Sequence, residues 1–87
     1  MKKSELEIKK CSEWLSLQTV IKTLNPWHTS YAYKHMVERW GGIYISNDSF
    51  KEAVKKAGIK YKYDSTGVNM LLPLSEKTLK KTLGFQG

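Results

Sequence analysis

The chain has 87 residues, with 15 Lys and Arg against 8 Asp and Glu, a formal charge of +7 and a pI near 9.6. A chain of this length buries only about 60–65% of its unfolded surface, which leaves little apolar material for a deep internal pocket beside the core. One cysteine excludes an internal disulfide, and no run approaches the ~18 apolar residues of a membrane span.

Ser4-Glu5-Leu6-Glu7 has the form of a capping box, with the Ser4 hydroxyl accepting from the third amide and Glu7 reaching back to the cap amide. Cys11, Trp14, Leu15, Leu17, Val20, Ile21 and Leu24 then recur at three- and four-residue steps. That spacing predicts one long helix with a wide apolar face. Ser12 and Ser16 are its weak points, and Asn25-Pro26 is its expected end. After the connector 27–30, Thr29 or Ser30 caps a second helix striped by Tyr33, Met36, Val37 and Trp40 and closed by Gly41-Gly42. Ile43-Tyr44-Ile45 reads as a very short edge strand. Ser46 caps a third helix through Ala57, with Asn47 and Asp48 in its first turn, Phe50, Ala53, Val54 and Ala57 on its apolar face and Gly58 at its end.

Beyond Gly58 the pattern alternates: Ile59, Tyr61 and Tyr63 point one way, Lys60, Lys62 and Asp64 the other. A polar turn at 64–67 leads into Val68-Asn69-Met70-Leu71-Leu72, which predicts a β-hairpin that Pro73 terminates. Ser75 caps a last helix with Leu79 and Leu83 facing inward and Gly84 at its end, followed by a loose tail, Phe85-Gln86-Gly87. The expectation is one mostly helical α+β domain over residues 1–87. It has the form of a winged helix-turn-helix, three or four helices with a C-terminal hairpin as wing and the third helix in the recognition position.

Lys51, Lys55, Lys56, Lys60 and Lys62 fall within residues 51–62, opposed there only by Glu52. Clustered on the expected recognition helix and wing, they predict a face for a polyanion, nucleic acid first. The same lysines also fit an ordinary solvated helix and an edge strand guarded against aggregation. Lysine meets phosphate and carries affinity, not sequence. Asn47 is the only base-edge candidate on that helix, which has no arginine. The expectation is therefore sequence-tolerant DNA binding, single-stranded binding included. Tyr61 and Tyr63 are candidates for base stacking, although their phase with Ile59 also suits core packing; Tyr31 and Tyr44 are further exposed aromatics.

No catalysis, metal or cofactor is expected. Cys11 lies in the apolar phase of a helix, and Cys11, His28 and His35 have no paired ligand spacing. The charged segment after Met1 is unlike a signal peptide, so a cytoplasmic protein is expected. Trp27, after Pro26, and Leu71, out of phase with Met70 and Leu72, are the candidates for docking a protein partner.

The run "SYAYKHMVERWGGIYISNDSFKEAVKKAGIKYK", residues 30–62, resembles small basic winged-helix-like proteins of phages and mobile elements of low-GC Gram-positive bacteria. These show a similar progression of Ser-Tyr, Lys-His, Glu, Gly, Tyr-x-Ser-Asn, Phe, Ala and Gly, which is a pattern of caps and core positions. The group includes DNA-binding winged helices and partners of replication enzymes, among them the "middle protein" that assists an A-family polymerase in priming on staphylococcal cassette elements. The resemblance implies either a DNA-binding role or an adaptor role. The adaptor that it implies is an accessory subunit of a polymerase or primase; the basic face and the candidate docking residues also leave open an inhibitor of a host nuclease.

Overall fold

A computed structural model describes residues 3–83. They form α1 (Lys3–Ser16), β1 (Val20–Asn25), α2 (Ser30–Gly41), α3 (Asn47–Ala57), β2 (Lys62–Tyr63), β3 (Met70–Leu74) and α4 (Glu76–Leu83). The three strands make an antiparallel sheet in the order β1-β3-β2. The architecture is a small α+β fold, and among the described residues no helix is long and apolar enough to cross a membrane.

The expected long first helix is two elements. α1 stops at Ser16, whose hydroxyl donates to the Glu13 carbonyl at 2.6 Å, and the Leu17 and Gln18 amides close tight turns onto Trp14 and Leu15 at 3.0 Å each. Val20, Ile21 and Thr23 are branched at Cβ and suit a pleated surface better than a helix. They lie in β1, and Leu17, Val20 and Ile21 stay exposed where helical spacing had placed them on an inward stripe. Asn25-Pro26 ends this strand. The Asn25 amide group donates to the Leu74 carbonyl (3.1 Å) and to Glu76 (2.9 Å), and its Oδ1 accepts from the Trp27 amide (2.9 Å).

Three further expectations change. Ser4 lies inside α1, and Glu7 does not close a capping box; its carboxylate crosses to α3 and accepts from the Ser46 amide at 2.9 Å. Ile43-Tyr44-Ile45 forms no strand, because Ile45 turns into the core while its amide donates to Glu38 at 3.0 Å. The hairpin pairs only Lys62 with Leu71 and Tyr63 with Met70, and Pro73 lies within β3 instead of after it. The caps of α3 are as expected: Ser46 Oγ accepts from the Ser49 amide, and Gly58 exits the helix at φ 73°, a left-handed conformation that glycine adopts without steric cost. The Leu83 side chain, Gly84 and the 85–87 tail lie outside the described residues.

One aromatic ring from each of the first three helices meets at the centre. Trp14, Tyr33 and Phe50 are fully buried, with ring centroids 5.9–6.2 Å apart. Val37, Ile45, Ala53 and Val54 surround them, β3 adds Met70, Leu72 and Leu74, and α4 adds Leu79. Cys11 is buried in the same cluster, and that burial pushes its thiol pKa up to about 12. The Tyr33 hydroxyl has no hydrogen-bond partner among the described residues, and burial raises its pKa. An unpaired buried hydroxyl costs stability. Tyr33→Phe is therefore expected to hold or raise the thermal midpoint, while Tyr33→Ala costs about 3 kcal/mol or more; a Phe variant that melts markedly lower would disprove the first expectation.

Glu38 fastens the turn between α2 and α3. Its carboxylate takes the Ile45 amide, Lys34 Nζ at 3.3 Å and His35 Nδ1 at 2.9 Å. Burial pushes its pKa up, but the bonds from Ile45, Lys34 and His35 outweigh burial and hold the carboxyl below its ordinary range. A carboxyl whose folded pKa is lowered adds stability above its unfolded pKa and loses it as pH falls through the folded value. Thermal midpoints should fall as pH drops below the ordinary carboxyl value of 4.5. Glu38→Gln should melt lower at neutral pH with a shallower acid limb; an unchanged acid limb would remove Glu38 from this role.

Candidate nucleic-acid interface

The inner face of α3 is Ser49, Phe50, Ala53 and Val54, all buried. A rotation of 100° per residue turns Asp48 and Lys55 directly outward, with Lys51 and Asn47 on one flank and Glu52 and Lys56 on the other. The N-terminal half of this face is mixed in charge: Asp48 is almost fully exposed and lies 3.6 Å from Lys51 Nζ. The C-terminal half is uniformly basic. Lys55 and Lys56 occupy its last turn, where cations also complement the negative end of the helix dipole.

Two of the candidate residues face the hairpin. Lys51 Nζ donates to the Val68 carbonyl at 2.8 Å, and Asn47 Nδ2 donates to Asn69 Oδ1 at 2.9 Å. These bonds fasten α3 to the hairpin at two points one helical turn apart. The turn itself is built by Asp64, whose Oδ1 accepts from the Thr66 amide (3.0 Å) and from the Thr66 hydroxyl. The hydroxyl bond is the main cause that holds the Asp64 carboxyl below its ordinary range. The Asp64 amide meets the Asn69 carbonyl at 2.8 Å, and Gly67 closes the turn at φ 73°.

Lys55, Lys56, Lys60 and Lys62 are exposed, and among the described residues no carboxylate lies within ion-pair distance of any of them. No acidic residue interrupts the chain from 53 to 63. Tyr61 and Tyr63 alternate with Lys60 and Lys62 along the chain; they are 38% and 40% exposed and in edge contact with each other, with centroids 5.7 Å apart. They are thus half in water and braced by each other.

A second exposed aromatic pair was legible only as separate residues. Tyr31 and Tyr44 flank the buried Lys34, whose ammonium lies 5.3 and 5.1 Å from their ring centroids, and His35 packs edge-on against Tyr31 at 4.8 Å. The signal was the 31-34-35-38 helical spacing; the loop that brings Tyr44 to it carries no such signal. Trp27 is 78% exposed, while Leu71 is half-buried on β3 opposite Lys62. No family model matches the chain, and no curated protein or solved structure is significantly similar to it.

Lys51→Met removes the brace between α3 and the hairpin while keeping the length of the side chain. Amide exchange at Asp64 and Gly67 should rise several-fold, with the core amides of Tyr33 and Val54 unchanged. Unaltered exchange in the hairpin would show that the bond to Val68 adds nothing to its order.

Proposed function

We propose that this chain is a winged-helix domain that binds nucleic acid without catalysis, with α3 in the recognition position and the β2–β3 hairpin as its wing. The chain order of the elements, with β1 completing a sheet beside the hairpin, supports that arrangement. The observation that carries the binding reading is the run of four exposed lysines, Lys55, Lys56, Lys60 and Lys62, with no acid paired to them among the described residues. Ammonium groups in this state neutralise phosphates, release the cations condensed on the nucleic acid and so drive affinity through charge. Lys51 and Asn47 hold the hairpin against α3 and so position this surface.

Contact is to the backbone and tolerant of sequence. Tyr61 and Tyr63 are partly exposed within the same stretch of chain as the lysines, which favours single-stranded DNA, whose unpaired bases can stack on them. The likeness of residues 30–62 to small basic phage and mobile-element proteins fits a cytoplasmic accessory of DNA replication.

Fluorescence anisotropy with labelled single- and double-stranded oligonucleotides, across a salt series, tests the reading. Four phosphate contacts give a log–log salt slope of roughly −3 for a single strand. Lys55→Glu with Lys62→Glu should lower affinity at least about tenfold and flatten the slope. Tyr61→Ala should cost roughly 1–3 kcal/mol on the single strand alone. Affinity that ignores both salt and the charge reversals would refute the proposal.

A further inference from the structure

Pro73 lies at the middle of the sheet, where both ladders fail. On one side, pairing with β2 ends at Lys62 opposite Leu71; two residues on, the next hydrogen-bonded position in that register would set Lys60 against Pro73, which has no amide hydrogen to give. On the other side β1 slips, pairing Val20 with Leu74 but Asn25 with Leu72. The segment 57–61 and strand β1 therefore stand apart, and a groove of about 580 Å³ opens between them with Pro73 among its lining residues.

Its walls are apolar. Val20 and Ile21, 54% and 40% exposed, line one side with Leu24, and Ile59 and Tyr61 line the other. A smaller depression shares Ile21 and Leu24 with the groove and reaches Trp27. The groove also takes one lysine from each wall, Lys22 and Lys60, and neither has an ion-pair partner among the described residues.

We propose that this groove docks an acidic peptide segment of a partner protein, one that carries apolar anchor side chains flanked by Asp or Glu. A phosphate backbone satisfies the lysines but has nothing to bury against Val20, Ile21 and Leu24. A second copy of this chain, at +7, would bring like charge to a lysine-bearing groove. An acidic–apolar peptide meets both demands: its side chains bury against the walls and its carboxylates face Lys22 and Lys60. The groove shares Lys60 and Tyr61 with the proposed DNA surface, but Val20, Ile21, Lys22 and Pro73 lie outside that surface, so variants on β1 test the groove separately.

The test selects random 12-residue peptides by display against the whole 87-residue protein and measures the winners by fluorescence polarisation and by amide shift perturbation. Support consists of acidic–apolar peptides that shift the Val20, Ile21, Lys22 and Ile59 amides. They should lose at least about tenfold in affinity on both Ile21→Asp and Lys22→Glu. Ile21 is already partly exposed, so its variant should stay folded, which circular dichroism verifies; Lys22→Glu repeats the test without touching the apolar wall. Ile21→Asn, which adds no charge beside Lys60, should lose the peptides as Ile21→Asp does yet leave oligonucleotide binding unchanged, which separates this proposal from the DNA reading. The proposal is overturned if selection returns no peptides, if the peptides are basic or uncharged, if they shift other amides, or if they bind both variants as well as the native chain. Self-association through this face in sedimentation equilibrium would likewise overturn it.

Discussion

The five residues of β3 are the constraint on which the fold depends. Their Met70, Leu72 and Leu74 side chains are fully buried beside the Trp14–Tyr33–Phe50 ring cluster, so the strand is part of the core as well as the middle of the sheet. Around it the polar groups are tied off in turn. Ser30 accepts the Met70 amide at 3.0 Å, Asn25 caps the Leu74 carbonyl, and the Ser75 amide reaches the Thr19 carbonyl at 2.8 Å. The first two bonds fasten α2 and β1 to this strand, and the third ties the entry to α4 to the residue before β1. In a chain this small, burial is limited, and buried polar groups must find partners or forfeit a large part of the stability margin. Pro73 is the exception within that strand, and the gap it leaves in both ladders is where the apolar groove forms.

Much of the helical framework was legible in the sequence because helix signals are local. Gly41-Gly42 marks the end of α2, Ser46 and Gly58 mark the ends of α3, and the i, i+3, i+4 pattern of Phe50, Ala53 and Val54 marks the buried face of α3. The strand β1 was not legible for a physical reason. Leu17, Val20, Ile21 and Leu24 satisfy a helical period by spacing alone, and only the pairing with β3, fifty residues further on, decides against it. Glu7 misleads along the chain in the same way. A carboxylate three residues after a serine has a local use, but here it bonds the start of α3, a contact invisible along the chain. Pro73 was read as a stop because proline cannot donate to a ladder; the structure keeps it inside the strand by letting both neighbours fall away from it.

The candidate surface was legible as a composition but not as a geometry. Five lysines in twelve residues read as one patch, yet the fold divides them. Lys51 ties α3 to the hairpin, together with Asn47, and the other four remain in solvent. Asp48 and Glu52 dilute the charge at the start of α3, so the basic character concentrates at its end and along the chain entering β2. That end of the helix adjoins the groove through Ala57, Gly58 and Ile59. Charge and exposed apolar surface are therefore neighbours in this molecule.

Cys11 has a practical consequence of its own. Its sulfur is wholly enclosed between the helices, and its proton is held far more tightly than that of a free thiol. The chain has no other cysteine, so a maleimide or disulfide reagent has a single target, reachable only when α1 lifts from its neighbours. The native molecule thus contains a built-in chemical clock, whose labelling rate in ordinary buffer reports how often its interior opens to water.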